Sequence, residues 1–108
     1  MKLRECPVRA AADVIGGKWK PMIVNALKKK PLRFGELLRA LPEASRKVVT
    51  EELRELESEG IVVGTALDQH KRVVGVEYAI TDYGATLVPV LEVMADWGVK
   101  HQCRKSKT

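Results

Sequence analysis

Apolar residues in this chain keep a helical spacing up to Gly60, gather into two β-branched runs over the next twenty residues, then return to helical spacing. The most informative stretch is Ser45 to Gly60, SRKVVTEELRELESEG. At 100° per residue, Val48, Val49, Leu53 and Leu56 fall on one side, and Lys47, Thr50, Glu51, Arg54 and Ser58 on the other, flanked by Arg46. Ser45 is suited to cap this helix through its hydroxyl. A full capping box is absent, because Val48 stands where Glu or Gln would reach back. Gly60 suits the left-handed residue that closes a helix.

Three helices are expected before it. Pro7 fits the first turn of a helix over Pro7–Ile15, which Gly16-Gly17 ends. A second runs from about Lys18 to Lys29 with Trp19, Ile23, Ala26 and Leu27 inward, closed by Lys28, Lys29, Lys30 and Pro31. Phe34, Leu37, Leu38 and Leu41 predict a short third helix over Phe34–Ala40. After Gly60, the runs Ile61–Leu67 and Val74–Ile80 read as a hairpin with a polar, basic tip at Asp68 to Arg72. Thr81 or Asp82 then caps a long last helix reaching Trp97 or Lys100, bent at Pro89. Tyr83, Leu87, Val90, Met94 and Trp97 form a heptad-like seam on it, and Val88, Leu91 and Ala95 widen the apolar surface.

This order predicts a mainly α fold with a β-hairpin wing: a single domain over residues 1–108, with a helix-turn-helix at 33–60 and a wing at 61–80. A basic tail is expected at 101–108. The last helix, 82–100, carries more apolar surface than so small a core can use, which predicts a homodimer joined through Leu87, Val88, Leu91, Met94 and Trp97.

Charge sharpens the functional side. The chain has 108 residues, 45% hydrophobic, and a net charge of +5. That favours an anionic partner, of which nucleic acid is the commonest. No apolar run can span a bilayer and the N-terminus lacks the apolar core of a signal peptide, so no membrane partner is expected and a cytoplasmic location is. On the fourth helix the basic residues lie in the N-terminal half, where the macrodipole is positive, and the acidic run Glu55–Glu59 lies at the far end. The candidate DNA-contacting residues are Ser45, Arg46, Lys47, Thr50, Glu51 and Arg54, with Lys71 and Arg72 at the wing tip and Arg33 before the third helix. Arg33 suits a phosphate contact, and a surface salt bridge nearly as well. The expected partner is double-stranded DNA.

No catalytic constellation or phosphate-binding glycine loop is present, so no enzyme and no cofactor are expected. His101-Gln102-Cys103 with Cys6 matches no zinc spacing, so no metal is expected. Trp19 and Trp97 lie on apolar stripes and suit packing better than base stacking. Cys6 and Cys103 are too few for a disulfide framework. Cys6 directly precedes Pro7, which places it at a helix N-cap, where a thiolate is stabilised; Arg4 and Arg9 add to this and Glu5 opposes it.

Segments at Cys6–Val8 (CPV), Ile15–Trp19 (IGGKW), Arg33–Leu41 (RFGELLRAL), Ser45–Val62, Val76–Gly84 (VEYAITDYG) and Leu87–Gly98 (LVPVLEVMADWG) together resemble the HxlR-type winged helix-turn-helix regulators, relatives of the MarR group. The resemblance implies a homodimeric, sequence-specific DNA-binding transcriptional regulator on a near-palindromic operator. It makes the helix at Ser45 the recognition helix and the loop Asp68–Val74 the wing. It also makes the helices at 6–17 and 82–100 the dimer interface. The usual serine–glutamine–lysine start is Ser45-Arg46-Lys47 here, which alters the expected target sequence rather than the mode of binding. Some members of the family sense oxidants or electrophiles through a cysteine at the position of Cys6. Cys6 and Cys103 are therefore the candidate redox sensors, and a small electrophile or oxidant the candidate effector. Two other readings remain: a winged-helix protein-interaction module that binds no DNA, which would be expected to lack the basic face and wing, and a thiol-dependent enzyme.

Overall fold

A computed structural model describes residues 6–69 and 72–106 of the chain. Its elements are α1 (Pro7–Ile15), α2 (Trp19–Leu27), β1 (Leu32–Arg33), α3 (Phe34–Ala40), α4 (Arg46–Ser58), β2 (Val62–Gln69), β3 (Arg72–Ile80), α5 (Asp82–Ala85) and α6 (Val88–Ser106). The expected mainly α fold with a wing is present, with two additions. Leu32 and Arg33 pair antiparallel with Tyr78 and Glu77, making a three-stranded sheet in the order β1-β3-β2. Two residues are too short a run to show a strand period. The hairpin is also longer than its apolar runs suggest, since Asp68 pairs with Val73 and Gln69 with Arg72 beyond an irregularity at Leu67/Asp68. Asp68, Gln69, Arg72 and Val73, expected in the tip loop, are thus strand residues.

The core is built where the helical stripes meet the base of the wing. Ile23, Val24 and Leu27 of α2, Leu37 of α3, and Val49, Leu53 and Leu56 of α4 are buried together with Leu32, Leu41, Ile61 and Val62. α4 ends as its glycine predicts. Gly60 adopts φ +77°, and the N–H groups of Gly60 and Ile61 reach back to the carbonyls of Glu57 and Leu56 at 3.0 and 2.9 Å. Thr81 then ties the start of α5 to this turn: its hydroxyl donates to the Gly60 carbonyl and accepts from the Gly84 N–H at 2.9 Å. Gly84 packs so closely here that a Cβ would lie 2.1 Å from the Ile61 carbonyl oxygen.

The last helix departs from expectation. It is broken after Ala85, and α6 begins at Val88. Pro89 therefore sits in the first turn of a new helix, where its missing N–H is not needed, instead of bending one long helix. α6 continues to Ser106, so residues 101–106, expected as a tail, are helical and carry Cys103 with them. No helix among the described residues is long and apolar enough to cross a membrane.

Candidate nucleic-acid interface

Burial of Val49, Leu53 and Leu56 turns the opposite side of α4 to solvent. Arg46, Lys47, Glu51 and Arg54 are exposed there, and Thr50 is half-buried. The start of this helix is held by local bonds. Ser45 Oγ accepts from the Val48 N–H at 3.1 Å, as a cap should, and Thr50 Oγ1 donates to the Arg46 carbonyl at 2.7 Å. The Arg46 guanidinium lies over the Phe34 ring, 5.0 Å from its centroid. None of Arg33, Arg46, Lys47 or Arg54 forms an ion pair among the described residues, so the salt bridge considered for Arg33 is not formed. Arg33 caps α3, and its N–H donates to the Glu36 carboxylate at 2.8 Å. The basic set thus faces solvent without an ion-pair partner among the described residues.

The acidic half of α4 is not left bare. Lys20 Nζ lies 2.8 Å from Glu55 and 3.5 Å from Glu59. The hydrogen bond to Glu55 is the main cause holding the Lys20 pKa above its ordinary value, against a smaller opposing effect of burial and with help from the two carboxylate charges. Lys20 carried no signal in the sequence, because its partners are thirty-five and thirty-nine residues away. The wing packs beside the same helix through Tyr78. Burial first, and Glu57 second, push the Tyr78 hydroxyl pKa up, with Arg54 opposing. Of the two wing-tip candidates, Arg72 opens β3, and Lys71 lies outside the described residues.

Cys6 is the N-cap of α1 and is exposed, as its position before Pro7 predicts. Its pKa is lowered, first by the backbone N–H of Arg9 and then by that of Val8; its slight desolvation works the other way. The thiol closes no cap hydrogen bond, so these N–H groups act by favouring the thiolate. Arg4 and Glu5 lie outside the described residues. Cys103, expected on a loose tail, is exposed on helical α6.

The five residues expected at a dimer seam divide into two groups. Leu87 and Leu91 are half-buried and pack against the core of their own chain, and Val88 is half-buried beside α2. Met94 and Trp97 are exposed, Trp97 by 64% and stacked on His101 with ring centroids 4.9 Å apart. Trp19, by contrast, is half-buried and packs against the core. Val93, which the seam expectation missed, is exposed by 67% and stands on one stripe with Val90 and Trp97. Its signal is the three- and four-residue spacing, legible once the helix is known to begin at Val88. α1 has no buried residue, and a cavity of about 250 Å³ lined by Ala10, Ala11, Val14, Ile61, Tyr83 and Leu87 lies beneath it.

With this geometry in place, comparison with known proteins is decisive: a family model described as HxlR-like helix-turn-helix matches residues 14–106. The chain belongs to the HxlR-like helix-turn-helix family. The HTH-type transcriptional regulator YdeP of Bacillus subtilis (strain 168) is 39% identical over 94% of this chain and 78% of its own. The fold is similar to that of the redox regulator HypR in its reduced form, with a TM-score of 0.85 and 35% identity over 95% of this chain and all of that one. It is also similar to the reduced transcriptional regulator YodB from B. subtilis, with a TM-score of 0.75 and 33% identity over 86% of this chain and 90% of that one. This HxlR-family chain is thus a DNA-binding transcriptional regulator of HxlR/MarR type, a non-enzymatic class, and has redox regulators among its structural neighbours.

Proposed function

We propose that the protein is a homodimeric regulator that binds a near-palindromic operator. The N-terminal half of α4 enters the major groove of each half-site. The observation that carries this is the uncompensated basic face of Arg46, Lys47 and Arg54, set apart from an acidic half that is tied back to Lys20. Ser45, Thr50 and Glu51 complete the reading surface, Arg33 supplies a phosphate contact, and Lys71 and Arg72 bring the wing to the backbone. Dimerisation is supported by the shape of the chain. Its radius of gyration is 16.0 Å, against about 13 Å for a compact chain of this length. Val8 on α1 and Val90, Val93, Met94 and Trp97 on α6 are apolar and uncovered. A two-fold axis there sets the two copies of α4 about one helical turn, roughly 34 Å, apart on DNA.

The same proposal assigns Cys6 as the sensor of an oxidant or electrophile. Its lowered pKa and exposure favour an accessible thiolate, and the redox regulators among the structural neighbours point the same way. Oxidation or alkylation at the start of α1 acts on a helix that is a candidate part of the dimer interface, and so on the spacing of the two α4 helices. Cys103 stands about 120° around α6 from Trp97, so a cross-link through it is not required.

Enrichment of random duplexes on the purified protein tests the reading. The expected product is an inverted repeat with half-sites about one turn apart, bound with a steep salt dependence. Lys47→Ala and Arg54→Ala weaken it, by roughly 1–3 kcal/mol where the lost contact is to a base. Equal weak affinity for every duplex overturns sequence-specific regulation and favours an interaction module.

A further inference from the structure

The first turns of α3 and α4 meet through one contact. Phe34 is the first residue of α3, half-buried and packed against the core, so its ring is held by the body of the domain. Arg46 is the first residue of α4, exposed, and its guanidinium lies over that ring at 5.0 Å from the centroid. No carboxylate among the described residues pairs with Arg46. An aromatic ring engages the flat face of a guanidinium and leaves the N–H donors, which lie in its plane, free. Those edge donors are the ones that pair bidentately with O6 and N7 of a guanine. A side chain already partly restrained by such a contact loses less freedom on binding than one that must be ordered from solvent. The Arg46 carbonyl meanwhile accepts from Thr50, so the backbone that carries the fork is fixed as well.

We propose that Phe34 is a positioning residue for base recognition: by holding the Arg46 fork, it sets the preference for guanine at one position of each half-site. This rests on the placement of α4 in the major groove proposed above. Phe34 itself touches no base and acts through Arg46.

The test measures base preference at each operator position for the full-length protein and for F34L, F34Y, R46A and F34L/R46A, by competition between duplexes that differ at a single base pair. Wild-type protein is expected to prefer guanine at one position per half-site and to lose that preference when 7-deazaguanine removes N7 there. F34L is expected to reduce the preference by roughly two- to fivefold, the range of an exposed cation–π contact. Its affinity for non-specific duplex and its salt slope are expected to stay unchanged. F34Y restores the preference, and F34L adds nothing in the R46A background. Where F34L fails to fold, pentafluorophenylalanine in place of Phe34 keeps the ring and its volume while cancelling the negative face, and is expected to give the same loss. An equal loss on all sequences, the same F34L effect with and without Arg46, or full guanine preference with the fluorinated ring overturns the proposal. Guanine preference intact in R46A also overturns it, and removes Arg46 from the reading surface. A protein selective for no sequence, even as wild type, overturns the function on which it rests.

Discussion

Lys20 Nζ, at the start of α2, lies 2.8 Å from a carboxylate oxygen of Glu55 in the acidic half of α4. The lysine side chain is 13% exposed and Glu55 is 60% exposed, so the pair sits at the rim of the core rather than within it. It joins two helices that already share buried residues, and it neutralises the part of α4 that would otherwise oppose a phosphate backbone.

Lys20→Met is therefore expected to lower stability by about 0.5–1 kcal/mol, the range of an exposed ion pair. That corresponds to a melting temperature lower by about 2–8 °C. It should also weaken binding to all duplexes alike, because Glu55 and Glu59 are left unneutralised. The Lys20 pKa is raised on folding, so its contribution is complete below the usual lysine pKa of about 10.4 and is lost as pH rises through the raised value. Thermal melts of both proteins from pH 7 to 11 check this. A wild-type advantage that is undiminished at the top of that range contradicts it.

Leu91 and Trp97 are expected to behave differently although both lie on α6. Leu91 is half-buried against the core of its own chain, so Leu91→Asp places a charge in an apolar contact and costs folding itself, by about 1–3 kcal/mol. Trp97 is 64% exposed, so Trp97→Glu should leave a folded chain that sediments as a monomer and loses affinity for the inverted repeat. Sedimentation velocity with far-UV circular dichroism separates the two. A folded, fully dimeric Trp97→Glu protein removes this stripe from the interface.

Cys6 should alkylate with a midpoint below that of a free cysteine peptide measured under the same conditions, because the N–H groups of Arg9 and Val8 favour its thiolate. At pH 7 its thiolate fraction then exceeds that of an ordinary cysteine, and Cys6→Ser should abolish the loss of operator binding on oxidation. Rates of iodoacetamide labelling across pH 5–10 give the midpoint. An unshifted midpoint, together with an oxidant response unaltered in Cys6→Ser, assigns the sensing elsewhere.

Gly84→Ala should destabilise the fold by about 3 kcal/mol or more, since its Cβ would lie 2.1 Å from the Ile61 carbonyl oxygen and both atoms belong to packed backbone. Chemical denaturation measures this. A stability within about 0.5 kcal/mol of wild type, the range of ordinary surface substitutions, would show that the turn after α4 is free to move.

Local chemistry alone determined much of this protein. The stripe of Val49, Leu53 and Leu56, the serine cap and the glycine stop mark α4 without any tertiary context, because a 3.6-residue period and two end signals are properties of neighbouring residues. The same holds for Pro7–Ile15 and for the thiol at its cap. Partnerships between distant segments had no such signature. The pairing of Leu32 with Tyr78 and the tie of Lys20 to Glu55 and Glu59 follow from how helices and wing pack, and no period records them. So do the break between α5 and α6 and the placement of Arg46 over Phe34. An interior Pro89 predicts one bent helix, whereas the chain turns between Ala85 and Val88 and the helix restarts there, with Pro89 in its first turn. Which side of α6 faces the core, and which is left uncovered, was likewise decided only when α2 came to lie beneath Leu91.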